Sequence, residues 1–293
     1  SLGIPEFGTD FVIQMLLDTK PTTFSELCKI SVLSHGTDVW LNNAQELIRD
    51  GKATIGEVIS SRDDIMVYLI NMGLDKELSF TIMESVRKGK GLKPEWEEIM
   101  TSNGVPDWYI WSCKQIKYMF PKAHAVAYVM MAYRIAYFKV YYPEAYYATY
   151  FSIRASDFDY ELMCHGKEKV DTYIKDYKSR FNELSKKEKD TLKDMKIVQE
   201  MYARKINFVP IDLYKVKSKL FQVLDEGIMP SLSAIQGLGE KAADNIVNAR
   251  KNGVFLSIDE LRQRTKISKT VIEIMKQNHI LDGMPQSNQL SLF

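Results

Sequence analysis

The stretch AIQGLGEKAADNIVNARKNG, residues 234–253, decides how the chain is read. An apolar approach runs into Gly237-Leu238-Gly239, and an alanine-rich amphipathic segment follows, which Gly253 can close from a C′ position. Two glycines one residue apart let a backbone turn sharply and let a ligand come close to it. Beyond the turn, the first amides of the new helix have no helical acceptor, and with the helix dipole they favour an anion. Lys241 adds a cation beside them. A plain corner between two helices, with glycine as the cap, accounts for the same five residues.

The order hydrophobic-x-Gly-hydrophobic-Gly is that of a helix-hairpin-helix, which this segment resembles. A phosphodiester suits such a turn, and a contact of this kind holds a duplex without reading its sequence. Gly237, Leu238, Gly239 and Lys241 are therefore candidate DNA-backbone residues. Downstream, FLSIDELRQRTKISKTVIEIMKQNHILDG (255–283) reads as a weaker companion unit, with Ser268 as an N-cap but no GxG.

Outward from the hairpin, helical spacing dominates. FVIQMLLD, NAQELIRD, DDIMVYLINM and ELSFTIMESVRKG repeat apolar residues at three and four positions. SHGTD, RDGKAT and RKGKGLKP interrupt them. No Asn-Gly or Asp-Gly turn joins alternating runs, so no extensive sheet is expected, although INFVPIDLYKVKSKLFQVLDEG has room for short strands. Residues 166–196 are rich in charge and predict a solvated helical pair at a hinge. The fold class is mainly α.

A length of 293 residues fits two domains. The hydrophobic share of 45% and charged share of 26% are those of an ordinary folded chain. With a net charge of +1, any nucleic-acid surface has to be local. Cys28, Cys113 and Cys164 lie far apart with no CxxC, which excludes a disulfide framework and a zinc site and suits a reducing cytoplasm. No apolar run is long enough for a membrane span, so no membrane partner is expected. The opening SLGIPEFGTDF is no signal peptide and has no initiator methionine, so the chain reads as a piece of something longer.

From residue 108 to 151 the sequence becomes strongly aromatic, and it predicts two or three helices bounded at Phe120-Pro121 and Tyr142-Pro143. Within it, KYMFPKAHAVAYV (117–129) sets Tyr118, Lys122 and His124 around a proline corner. Pro121 puts Lys122 and His124 in the first turn of a helix, where the dipole favours an anion. Residues 111–152 hold five Lys or Arg against one acid, interleaved with rings, as recognition of a phosphate plus a base requires. Each tyrosine, taken singly, is explained equally by packing. Two smaller candidates are the Ser34-His35 turn, which a plain N-cap loop also explains, and Arg62, whose fork suits phosphate. Capping by Asp63 or Asp64, with Arg62 in a surface pair, is the plainer reading of the latter.

SLGIPEFGTDF, ISVLSHGTDVWLNNAQELI, IKYMFPKAHAVAYV and the terminal NQLSLF, in this order, closely resemble the PolC-type replicative DNA polymerases, the family C polymerase III α subunits of low-GC Gram-positive bacteria. The likeness covers essentially the whole chain and is weakest over residues 164–201. It implies helical fingers over residues 1–200, a small helix-hairpin-helix duplex-binding domain over 201–282, and an extended tail over 283–293. By motif position it assigns the incoming dNTP to Tyr118, Lys122 and His124, and less securely to Arg62, Ser34 and His35.

QLSLF matches the family's peptide for the sliding clamp (the β subunit), with Gln289, Leu290, Leu292 and Phe293 entering the clamp's groove. Other implied partners are primer–template DNA and the remainder of the polymerase. Polymerisation also needs metal-holding carboxylates for Mg²⁺. No DxD lies on a strand-like run here, and the family places the catalytic aspartates in a palm preceding the fingers. No catalytic residue or metal ligand is therefore expected in this chain, and the exonuclease belongs elsewhere in the full cytoplasmic enzyme. From another class, a non-catalytic DNA-binding adaptor that recruits the clamp would need only GLG and QLSLF. A helix-hairpin-helix glycosylase would want a catalytic residue just past the hairpin, but Asp244 lies within the helix.

Overall fold

Helices begin and end where the local side chains dictate. The computed structural model describes residues 1–288 and divides the chain into two compact units, 1–136 and a second from residue 137 on. The first holds α1 (Asp10–Thr19), α2 (Phe24–His35), α3 (Gln45–Arg49), α4 (Arg62–Asn71), α5 (Lys76–Arg87), α6 (Pro94–Ser102), α7 (Asp107–Gln115) and most of α8 (Lys122–Tyr141). Capping boxes start α2 at Thr23 with Glu26, and α4 at Ser61 with Asp64. Asp64 thus completes a cap that Ser61 begins. The unit division falls within α8, which carries side chains of both.

In the first unit, the 36–44 segment is pinned from its buried side. Asn42 takes a positive φ of 57°, kinking Trp40–Ala44 ahead of α3. Fully buried Asn43 accepts the Ser112 hydroxyl at 2.6 Å and donates to the Asp38 carbonyl at 3.0 Å, tying the kink to α7. Both polar groups are satisfied where an orphan would cost about 1–3 kcal/mol. Tyr109 of α7, fully buried, stacks on Tyr68 of α4 with ring centres 4.1 Å apart.

The second unit continues with α9 (Pro143–Thr149), α10 (Tyr160–Met163), α11 (Lys167–Ser179), α12 (Lys186–Ala203), β1 (Gln222–Leu224), β2 (Gly227–Met229), α13 (Glu240–Ala249), α14 (Ile258–Thr265) and α15 (Lys269–Gln277). β1 and β2 form a small antiparallel ribbon, Val223 facing Ile228, and no larger sheet exists among the described residues. The mainly α class holds.

The charge-rich pair is α11 and α12, but α12 is more than a solvated helix. Met195, Ile197, Val198 and Met201 are buried, and its last turns carry an ionic cluster. Lys139 of α8, only 7% exposed, meets Glu200 at 2.7 Å, and the Tyr147 hydroxyl donates to the same carboxylate. Arg204 donates to the Lys139 carbonyl at 2.9 Å. Burial lowers the Lys139 pKa and Glu200 works against that fall. Further along, buried Asp194 accepts the Asp157 amide at 2.9 Å, and burial pushes its carboxyl up to about 6. Leu238, Ala243, Ile246, Leu261, Ile272 and Met275 share one apolar core, which sets the hairpin among α13, α14 and α15.

Candidate nucleotide and nucleic-acid interface

In the first unit, the predicted corner forms. α8 starts at Lys122 directly after Pro121, so Lys122 and His124 occupy its first turn. The preceding Tyr118 bridges to Thr37: the Thr37 amide donates to the Tyr118 carbonyl at 3.0 Å, and the Lys117 amide donates to the Thr37 carbonyl at 3.1 Å. On another side, Gly89 has φ 69°, and a β-carbon there would lie 2.5 Å from the Lys117 carbonyl oxygen. Glycine is required at that close approach.

Ser34 and His35 are the last two residues of α2 rather than a turn; the chain leaves the helix at Gly36. The physical reason is that α2 buries Ile30, Val32 and Leu33 right up to its last turn, and that turn is completed locally. The Ser34 hydroxyl donates back to the Ser31 carbonyl at 2.8 Å, and His35 Nδ1 lies 2.8 Å from the same oxygen. The His35 ring tilts against Phe120 at 4.8 Å, Phe120 meets His124 at 5.4 Å, and His124 meets Tyr128 at 4.6 Å. Four rings therefore run in sequence from the end of α2 along the first turns of α8. His35, His124 and Tyr128 are exposed along this run.

Lys122 turns toward α4, where its ammonium lies 3.3 Å from Asp64 Oδ1. Burial raises the Asp64 carboxyl, but the Ser60 hydroxyl, Lys29, the Ser61 amide and Lys122 together bring it below its ordinary value. Lys29 is itself desolvated and donates to the carbonyls of Gly56 and Val58. A cleft of about 600 Å³ opens here, lined by Lys29, Asp64, Tyr68, Trp108 and Lys122 among others. Arg62 heads α4, exposed, two residues before Asp64, and makes no ion pair or hydrogen bond among the described residues. The surface pair expected for it does not form.

Backbone pairing sets Tyr118 beside Thr37, just past α2, ring contacts join His35 to His124 through Phe120, and Ser34 meets His35 at 3.0 Å, whereas Lys122 turns to Asp64. Arg62 joins them only through α4 and Asp64. Sequence reasoning missed Lys29 and Gly89, and it gave Asp64 only as a cap of α4; that the same carboxylate also meets Lys122, 58 positions away, has no local signal.

In the second unit, the hairpin follows a single 3₁₀ turn, Leu232–Ala234, rather than a full first helix. Gly237 has φ 80°, a conformation that favours glycine, and Leu238 is buried beneath the turn. Gly239 is different. Its φ of −65° suits any residue, and a β-carbon there would touch nothing within 4 Å. The fold does not require glycine at Gly239, and the side of the turn that it faces is open. Gly239 is the N-cap of α13 and offers no side chain, so the amides of Glu240 and Lys241 find no acceptor among the described residues.

Ser257 and Ser268 cap α14 and α15. Arg264 of α14 donates to the carbonyls of Ala249, Gly253 and Val254, closing the far end of α13. Gln289, Leu290, Leu292 and Phe293 lie outside the described residues. Among those described, no group of three or more His, Cys, Asp or Glu could hold a metal ion, and no helix is long and apolar enough to cross a membrane.

Residues 1–104 match the model of the bacterial DNA polymerase III alpha subunit finger domain, and residues 205–290 match a helix-hairpin-helix motif. The finger-domain match and the helix-hairpin-helix match thus follow one another in one chain. Over all 293 residues the chain is 58% identical to the DNA polymerase III PolC-type of Caldanaerobacter subterraneus subsp. tengcongensis, 57% to that of Clostridium perfringens and 55% to that of Bacillus subtilis. It covers 21%, 20% and 20% of those three proteins, about a fifth of the length of the curated relatives it matches. Over its whole length the chain is thus similar to part of the PolC-type DNA polymerase III proteins.

Proposed function

We propose that this chain is the nucleotide-binding, duplex-gripping and clamp-attaching part of a cytoplasmic replicative DNA-directed DNA polymerase. Residues 1–200 serve as fingers, 201–282 as the duplex-binding domain and 283–293 as the tail. The observation that carries the reading is the Lys122–His124 corner, where exposed rings and cations meet at the start of α8 in a chain similar throughout to PolC-type polymerases.

The incoming dNTP brings a triphosphate whose charge must be held while its α-phosphorus is attacked. Lys122, Arg62 and the first turn of α8 supply positive potential, and Tyr118, Ser34, His35 and His124 supply hydrogen bonds. Lys122 is held by Asp64 until the phosphates arrive, so the ammonium is oriented in advance at little entropic cost. In the whole enzyme, palm carboxylates outside this chain would hold Mg²⁺, which would supply neutralisation of the phosphates and activation of the primer hydroxyl. Primer–template DNA, the palm and the exonuclease are partners on this reading. The hairpin amides and Lys241 take the duplex backbone, and QLSLF takes the sliding clamp.

The test is primer extension by the full-length polymerase carrying His124→Ala, with the nucleotide titrated. A hydrogen bond to a charged group contributes on the order of 1.5–3 kcal/mol, so nucleotide KM should rise roughly ten-fold or more with primer–template affinity intact. An unchanged KM would make the corner a packing feature and favour the clamp-recruiting adaptor. At the hairpin, Gly239→Val should fold normally, because its side chain enters open space. It should weaken duplex binding equally on all sequences, and a loss confined to some sequences would contradict backbone contact.

A further inference from the structure

A cleft of about 630 Å³ lies against the hairpin, lined in part by Ser233, Gln236, Gly237, Gly239, Glu240 and Lys219. Lys219 belongs to neither arm of the hairpin. It is brought there by the segment before β1, which runs alongside the 3₁₀ turn: the Leu232 amide donates to the Lys217 carbonyl at 3.1 Å, and the Ser233 amide to the Ser218 carbonyl at 2.9 Å. The Lys219 ammonium then sits 2.7 Å from Glu240 Oε2, and the carboxylate raises its pKa.

The position of Glu240 makes this pair informative. Glu240 is the first residue of α13, so its carboxylate stands at the amides a phosphodiester would use. Two anions at one helix start repel unless a cation lies between them. We infer that Lys219 is a second cation of the duplex-backbone site, neutralising Glu240 and bridging it to a phosphodiester on the hairpin amides. In free protein Glu240 takes the lysine's charge; with duplex bound, the phosphate shares it. The ligand is the phosphodiester backbone of a double-stranded nucleic acid. The inference rests on the hairpin reading above, and its experiment separates the two.

Binding of a short fluorescent duplex of mixed sequence to the whole chain is measured across a salt series for Lys219→Ala, Glu240→Gln, the double variant and Gly239→Val. Both ionic side chains are half-exposed or more, so the fold tolerates their replacement. Lys219→Ala should weaken binding about five- to ten-fold near physiological salt and reduce the salt slope by about 1. Glu240→Gln should tighten binding. The double variant should recover most of the loss, with Glu240→Gln gaining more in the Lys219→Ala background than in the parent, because the carboxylate there is unpaired; independent charges would give equal gains in both. If Gly239→Val weakens binding while Lys219→Ala is silent, the inference is overturned and the hairpin stands. If Lys219→Ala weakens binding and Gly239→Val does not, the hairpin reading fails and Lys219 remains a duplex contact. If the double variant binds no better than Lys219→Ala, the bridging role is wrong.

Discussion

Glu200→Ala should cost the second unit about 3 kcal/mol, the effect of leaving one member of a buried ion pair behind. Lys139 is 7% exposed and its ammonium has Glu200 at 2.7 Å. Without that carboxylate, burial continues to penalise the charge, and the Tyr147 hydroxyl loses its acceptor as well. Lys139→Met/Glu200→Leu should recover most of the loss, since replacing both members with apolar groups of similar volume is often neutral. Chemical denaturation of the whole chain, with hydrogen exchange followed at α8 and α12, reads both. A single variant within about 1 kcal/mol of the parent would show that the cluster is solvated and contributes little.

The second large effect concerns the terminal peptide. Replacing Leu290, Leu292 and Phe293 by alanine should abolish detectable binding to the sliding clamp and leave duplex binding unchanged. Each desolvated side chain is worth about 1.5–3 kcal/mol. On the proposed reading, the cost of association leaves the peptide alone with roughly micromolar affinity, so losing three anchors would exceed what remains. In the enzyme on primed DNA, the tether multiplies that weak contact through effective concentration, so processivity should fall with it. Immobilised clamp and a graded concentration of the chain suffice for the measurement. Retained binding by the triple variant would return these residues to packing within their own chain.

These two predictions rest on different kinds of information. The terminal peptide was legible as five consecutive residues and lies outside the described ones. The Lys139–Glu200 pair joins residues 61 positions apart, and nothing in either local sequence distinguishes it from the many Lys and Glu on solvated helices. Helix α12 illustrates the same limit. Its charge-rich start reads as surface, while its buried last turns and Glu200 become structural only once α8 and α9 supply their neighbours.

What the sequence determined by itself was everything that depends on a few consecutive residues. Pro121 and Pro143 set the ends of α8 and the start of α9, because proline restricts the residue before it. Ser61 and Asp64 start α4, and Gly237-Leu238-Gly239 turns the chain into α13, because capping and positive φ are local matters. Only the tertiary structure decided which distant groups meet. It brought Asp64 to Lys122 across 58 residues, set Gly89 against the Lys117 carbonyl, placed Lys219 on Glu240, and left the space beside Gly239 open. The physical reason is that a charge or a hydroxyl has the same local pattern whether solvated or paired. Its partner is chosen by the packing of apolar faces far away in the chain.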